Sequence, residues 1–257
     1  EDVYYHSLNV ALMAMLLARE LKAPAEAVRL IGLGALMHDV GKADIPDRVL
    51  HKTAPLTKPE MALLQQHCAA GAAIGRRMNL PPEVVLVIEQ HHEHVDGSGY
   101  PQKLGGAQLN LLSRVVSLVN AYDNLCNPIN PALALTPHVA LSTLFGQRRD
   151  QFDATAMATF VRILGVYPPG TVVTLSNGTI AMVVAVNGSR PLKPTVLVYD
   201  PAVPRREAMV VDLEDEPDVT ITKTLRPQQL PTAVHDYLSP RKRMTYALDT
   251  EASARGA

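Results

Sequence analysis

The spacing of apolar residues changes near residue 166, and this change restricts the folds open to the chain. Before that point apolar residues recur at intervals of three and four, as in 8–18 and 25–37, which predicts amphipathic helices. After it the chain has short segments rich in β-branched residues, which predict strands. We therefore expect a mainly α protein, with an all-helical domain over 1–166, a small antiparallel β domain over 167–238 and a polar tail over 239–257.

Local signals place the individual elements. Thr57 and Glu60 have the spacing of a capping box, and the helix that they open is expected to run through His67 to about residue 78. Asn177-Gly178 predicts a hairpin turn between the first two strands. Further helices are predicted over 82–92, 110–126 and within 137–165, and strands over 171–175, 180–186, 195–199, 208–211 and 219–222.

Charge and composition exclude several classes of protein. The 257 residues carry 24 basic and 25 acidic side chains, which argues against a DNA-binding protein that acts through bulk charge. No apolar stretch approaches the ~20 residues of a membrane span. Two cysteines suit a reducing compartment, so we expect a cytoplasmic protein. Since the chain starts with Glu-Asp-Val rather than Met, we expect it to be a piece of a longer protein.

Histidine is concentrated in the helical part, where eight of the nine residues lie. His38-Asp39 ends the predicted second helix, although such a pair is weak evidence alone, because a second one occurs at 235–236. His91 and His92 point about 100° apart on a helix, so each could bind one of two metals bridged by Asp39. Lys42 lies one turn past His38, where it could hold a phosphate oxygen. The alternative is a set of buried or surface histidines without a metal.

Two motifs carry a family resemblance. His38-Asp39 with Lys42, and the segment HHEHVDGSGYP at 91–101, resemble the HD-GYP family of bacterial phosphohydrolases associated with cyclic di-GMP. The resemblance implies an HD-type helical core and hydrolysis of cyclic di-GMP to pGpG and then GMP. It also implies two or three metal ions, iron in the first place and manganese as the alternative.

The same resemblance implies roles for individual residues. Asp39 and Lys42 are the implied catalytic residues. Asp2 falls where some members place a carboxylate for a third metal. The implied metal ligands are His6, His38, Asp39, His67, His91, His92, Asn120 and Asp2, and the implied substrate-binding residues are Lys42, Lys52, Gly99, Tyr100 and Pro101.

Three positions depart from the family pattern. Asn120 stands where the family has its last metal-binding aspartate, and a neutral amide is a poorer ligand than a carboxylate. Asp123 lies one turn later, but its position alone does not make it the metal ligand in place of Asn120. Ile129 stands where an arginine often contacts the dinucleotide, and its apolar side chain should weaken nucleotide binding. Cys68 follows His67 where proline is common.

These departures keep other functions open. One alternative is a weakly active or inactive signalling adaptor, whose GYP loop binds a GGDEF (diguanylate cyclase) or PilZ-type protein. Another is a hydrolase of a different cyclic dinucleotide. The family also implies an N-terminal sensor or receiver domain in the full-length protein, and a homodimer is a further expectation.

Overall fold

The computed structural model describes residues 2–238, which form nine helices, a five-stranded sheet and a tenth helix. This arrangement confirms the predicted helical core followed by an antiparallel β domain. The boundaries at 166 and 238 stay predictions, and the tail over 239–257 lies outside the described residues. The helices of the core are α1 (Asp2–Glu20), α2 (Ala25–Met37), α3 (Asp47–Leu50), α4 (Lys58–Gln65), α5 (His67–Arg77), α6 (Pro82–Gln90), α7 (Leu111–Cys126), α8 (Pro137–Gln147) and α9 (Ala154–Leu164).

Helix α7 lies at the centre of the helical domain. Its residues Leu118, Val119 and Tyr122 are fully buried, and the Tyr122 ring meets Phe160 of α9 edge-on at 5.2 Å. The apolar face of α1 packs against α7 and α2, as its sequence periodicity predicts. Helix α2 also packs closely on α6, because Gly34 leaves room for Val87. The ends of α2 and α6 are thereby held side by side.

A tight turn after α2 fixes the position of the His-Asp pair. The 3₁₀ helix Val40–Asp44 lies against α5, where the backbone of Gly41 touches the carbonyl of His67 and the backbone of Gly71. A side chain at residue 41 would collide with that backbone. The glycine thus lets Asp39 approach the first turn of α5.

The helix predicted from Thr57 to about residue 78 is wrong in one respect, because it is divided at Gln66 into α4 and α5. The amide of Gln66 bonds to the carbonyl of Leu63, which tightens the turn. The carbonyl of Leu64 accepts a bond from the ring of His67. The predicted capping box is present at Thr57.

The β domain is an antiparallel sheet with the strand order β4-β3-β2-β1-β5. The hairpin predicted at Asn177-Gly178 joins the first two strands, and Gly178 adopts a φ of +85° there. One face buries Val173, Ala181 and related side chains, and the other packs against a final helix that the sequence analysis missed. The elements are β1 (Val172–Leu175), β2 (Ile180–Ala185), β3 (Thr195–Val198), β4 (Val210–Asp212), β5 (Ile221–Leu225) and α10 (Thr232–Leu238).

Within residues 2–238, no helix combines the length and the apolarity that crossing a bilayer requires.

We expect Gly41→Ala to destabilise the protein, because the new methyl group would force the turn away from α5. A loss of about 2 kcal/mol or more is expected in the free energy of unfolding. The control is Gly146→Ala in α8, where a methyl group meets nothing within 4 Å. That change should be neutral or stabilise by up to about 1 kcal/mol. Thermal unfolding midpoints check both variants, and equal midpoints would contradict the prediction.

Candidate metal centre

Six of the eight potential ligands named from the sequence converge at one buried place in the helical domain. They come from α1, the end of α2, the start of α5 and the end of α6, so four helices position them. They form two groups that share one carboxylate, and the ligand atoms within a group lie within 4.8 Å of one another. The members are Asp39, His67, His91 and His92 in one group and His6, His38 and Asp39 in the other.

Hydrogen bonds to the main chain orient three of the rings. In His38, His67 and His91, Nδ1 lies 2.6–2.8 Å from the carbonyl oxygen three residues earlier. A carbonyl oxygen can only accept, so Nδ1 must carry the proton in each ring. The lone pair of the neutral ring is therefore on Nε2, which faces the centre of the site. Metal-binding histidines are commonly oriented in this way.

The ring of His6 is oriented by a carboxylate instead. Oδ2 of Asp123 lies 2.6 Å from Nδ1 of His6, and Oδ1 accepts bonds from the amides of Asn9 and Asn127. Because the carboxylate holds the Nδ1 proton, Nε2 of His6 also presents a lone pair to the site. Asp123 thus lies behind His6 and orients it, which the sequence analysis did not identify.

The two oxygens of Asp39 face different histidines. Oδ2 lies 3.4 Å from Nε2 of His38 and 3.8 Å from Nε2 of His6. Oδ1 lies 3.5 Å from Nε2 of His67 and 3.8 Å from Nε2 of His91. One carboxylate therefore separates two pairs of nitrogens, which is the arrangement of a bridging ligand between two metal ions.

The ring nitrogens also approach one another closely. Nε2 of His38 lies 3.2 Å from Nε2 of His6, and Nε2 of His67 lies 3.1 Å from Nε2 of His91. Neutral rings with their protons on Nδ1 cannot hydrogen-bond to each other through Nε2. Facing lone pairs are stabilised when a cation lies between or beside them. The donor set of imidazole nitrogens and one carboxylate therefore fits divalent transition metals.

The electrostatics of the site favour the forms that bind metals. Burial would raise the pKa of Asp39, but the neighbouring His38 and Lys42 outweigh it and hold that pKa well below its usual value. Burial and the neighbouring histidines hold the pKa of His91 and His92 well below 6.5. At neutral pH the site thus offers an ionised carboxylate at Asp39 and the neutral rings of His91 and His92, which are the forms that metal coordination requires.

The two predicted lysines lie in different surroundings. Nζ of Lys42 is 2.6 Å from Oδ2 of Asp39, and its side chain is 27% exposed, so its ammonium lies at the edge of the site. Nζ of Lys52 pairs with the carboxylate of Glu60 at 2.6 Å and so ties the preceding loop to the start of α4. The substrate role of Lys52 stays a prediction.

Asn120 lies in the wall of a small cavity beside the site. It is buried in α7, and its Oδ1 accepts a bond of 2.8 Å from the amide of Asn124. The cavity has a volume of about 160 Å³ and is also lined by His91 and His92. The structure thus brings Asn120 next to the paired histidines, and its role as a ligand stays a prediction.

The loop that contains Gly99, Tyr100 and Pro101 packs directly on the paired histidines. The ring of Tyr100 stacks on His92 at 4.5 Å with an angle of 19° between the planes. Gly99 lies against the backbone of residues 92–94 and has no room for a side chain, whereas Pro101 is exposed. The carboxylate of Glu93 accepts bonds from the backbone amides of residues 102 and 104.

Three further residues differ in how they relate to the site. Asp2 begins α1, and its side chain lies outside the described part of the chain. Ile129 is 58% exposed and follows α7. Arg148, at the end of α8, lines the cavity beside His92 and was missed. No sequence motif connects residue 148 to the histidines, whereas the helical spacing from Asn120 offered a signal for Asp123.

Comparisons with known proteins agree with this architecture. The family model for the HD domain matches residues 4–156, and the model for a KOW domain associated with the HD domain matches residues 172–233. The chain therefore belongs to the HD domain family. The HD-GYP resemblance predicted from the two motifs is confirmed.

Curated relatives are similar in sequence, and one solved structure shares the fold. The cyclic di-GMP phosphodiesterase PA4108 of Pseudomonas aeruginosa is 34% identical over 77% of this chain and 48% of its own length. The 3'3'-cGAMP-specific phosphodiesterase 1 of Vibrio cholerae is 34% identical over 48% of this chain and 28% of its own length. Bd1817, an HDG"Y"P protein of Bdellovibrio bacteriovorus, shares the fold with a TM-score of 0.55 and 24% identity, over 63% of this chain and 52% of its own. The chain spans at most about half the length of these relatives.

Lowering the pH should destabilise the metal-free protein. Unfolded histidines have a pKa of about 6.5, and the folded values of His91 and His92 lie below it. Below about pH 6.5 the unfolded state therefore binds more protons, so the free energy of unfolding falls as the pH falls. Thermal midpoints of chelator-treated protein between about pH 7.5 and 5.5 check this. His91→Asn should make the thermal midpoint depend less on pH, whereas His51→Asn, at an exposed position, should leave that dependence unchanged. If the midpoints of both variants change equally with pH, the buried histidine is not the cause.

Replacing Asp123 with Asn should weaken metal binding, because His6 loses the carboxylate that holds its Nδ1 proton. Changes of this kind typically cost about tenfold to a hundredfold in metal affinity. Competition titration with a chromophoric chelator measures the affinity. The control is Asp150→Asn, an exposed carboxylate outside the site. Equal affinities of the two variants would show that Asp123 does not orient the ligand.

Proposed function

We propose that the chain is a metal-dependent phosphodiesterase that hydrolyses cyclic di-GMP to pGpG, GMP or both. The observation that carries the proposal is the pair of histidine groups on either side of Asp39. Two-metal sites of this kind are typical of phosphoester hydrolysis. The substrate is inferred from the activity named for relatives such as PA4108.

The proposed cofactors are two metal ions, iron first and manganese as the alternative, held by His6, His38, Asp39, His67 and the paired histidines. Imidazole nitrogens with one carboxylate suit both metals. A third ion at Asp2 remains part of the proposal. When bound, the ions would activate water for attack on phosphorus and offset charge on the phosphate.

The side chains themselves would position the substrate. Asp39 would keep the two ligand groups at a fixed separation through its two oxygens. Lys42, at the edge of the site, would turn its ammonium from Asp39 towards a phosphate oxygen and so lower the cost of charge developing there. Tyr100, stacked on His92, would close one side of the substrate pocket.

A second candidate is a hydrolase of another cyclic dinucleotide. It is favoured by the Vibrio cholerae relative, whose name specifies 3'3'-cGAMP, and by the exposed Ile129 in place of a basic residue.

We also propose that residues 1–166 form the catalytic unit and that the unit acts in the cytoplasm. The exposed part of the GYP loop is the proposed contact for GGDEF or PilZ-type proteins, and an N-terminal sensor or receiver domain and homodimerisation are further proposals.

The test combines metal and product analysis on one sample. The protein is purified without oxygen, its metals are quantified, and it is incubated with cyclic di-GMP and with 3'3'-cGAMP. Two or more metals per chain with pGpG or GMP from cyclic di-GMP would support the proposal. Cleavage of 3'3'-cGAMP alone would favour the second candidate. Less than one metal and no product, even with added Fe(II) or Mn(II), would favour the adaptor.

The variant His38→Ala/Asp39→Ala should lose bound metal and hydrolysis together, because both ligand groups lose a member. Activity should fall to the background rate of the assay. The matched control is Asp47→Ala/His51→Ala, an exposed pair of the same residue types. Retained hydrolysis in the first variant would refute the metal centre as the site of reaction.

A further inference from the structure

The cavity beside the paired histidines has one cationic wall. Its lining includes His91, His92 and Asn120, and Arg148 adds a cationic side chain to that lining. Because the two histidines belong to the proposed metal centre, a substrate phosphate held there would lie next to this cavity. The wall formed by Arg148 is therefore within the region that a dinucleotide would cover.

Local contacts hold the guanidinium in place. Nε of Arg148 donates a bond of 2.7 Å to Oε1 of Gln151, and the guanidinium carbon lies 5.6 Å from the centre of the Phe152 ring. Gln151 is itself tied to the segment after the histidines, since its carbonyl accepts a bond from the amide of Val95. Among the described residues, this guanidinium bonds to another side chain through Nε alone, so its two Nη groups remain as donors for a ligand. A planar cation held in this way loses little freedom on binding.

The guanidinium has no acidic partner in the described protein. Among residues 2–238, no carboxylate oxygen lies within 4.0 Å of its nitrogens. Arg148 is nevertheless half-buried, and this burial lowers its pKa. A partly desolvated cation without a counterion is costly, and an anion in the cavity would offset that cost. The planar fork matches two oxygens of a phosphodiester.

We propose that Arg148 is a substrate-binding residue that contacts a phosphodiester group of the cyclic dinucleotide. It would supply, from the end of α8, the cation that Ile129 cannot supply. The inference rests on the proposed function, because it takes the cyclic dinucleotide as the substrate. Either phosphate of the cyclic dinucleotide could occupy the cavity: the one that is cleaved, or the other phosphate of the ring.

The experiment compares Arg148→Ala and Arg148→Lys with Arg149→Ala. Arg149 is the neighbouring arginine, is exposed and lies over Phe145 rather than at the cavity. For the cyclic dinucleotide that the wild type cleaves, Arg148→Ala should raise KM about tenfold to a hundredfold. Arg148→Lys should give a smaller rise, because it keeps the charge without the fork. Metal content and thermal midpoint should match those of Arg149→Ala.

Two further measurements separate binding from a structural role and identify the phosphate. Added methylguanidine should lower the raised KM of Arg148→Ala and leave Arg149→Ala unchanged. With bis(4-nitrophenyl) phosphate, a diester that has a single phosphate, an equal rise in KM assigns the contact to the cleaved phosphate. A rise confined to the dinucleotide assigns it to the second phosphate.

The failures of the two proposals are distinguishable. If Arg148→Ala has the KM of Arg149→Ala, the inference is overturned and the phosphodiesterase remains. A rise in KM that follows a loss of metal or of thermal stability, without rescue by methylguanidine, also overturns it. If metal-loaded wild-type protein neither cleaves nor binds cyclic di-GMP and 3'3'-cGAMP, both proposals fall.

Discussion

The carboxylate of Asp39 is the group on which the arrangement of the site depends. It is almost fully buried, and its two oxygens face separate pairs of histidines and the ammonium of Lys42. A buried negative charge requires compensation from its surroundings. The fold provides for this by bringing histidines from four helices to one point, and the contact between Gly41 and Gly71 lets the turn that carries Asp39 lie close to α5.

The histidines are positioned mainly by the backbone rather than by other side chains. His38 and His91 follow the last turns of α2 and α6, His67 begins α5, and each ring bonds to a carbonyl of the adjoining turn. Carbonyls at helix ends are free to accept such bonds. The same hydrogen bonds therefore complete the helix ends and aim the Nε2 atoms, so helix packing and site geometry are coupled.

Much of the fold and of the ligand set follows from local sequence patterns, because periodicity and turn signals act over short distances. The break at Gln66 was missed, because no Gly or Pro marks it and residue propensity gives no sign of the bond that the ring of His67 makes to the carbonyl of Leu64. The same limit explains why Asp123 was not seen as the partner of His6, and why Arg148 was missed. Both depend on contacts between helices that are distant along the chain.

The segment after α6 is held together by contacts between its beginning, at His92 and Glu93, and the GYP loop. His92 stacks on Tyr100, and the carboxylate of Glu93 holds the amides of residues 102 and 104. Glu93 is 1% exposed, so these bonds are shielded from water. A force applied to the exposed end of the loop is therefore transmitted to the paired histidines within a few bonds. A protein that bound this loop would therefore act on the positions of the paired histidines directly, because the loop contacts them without involving the rest of the helical core.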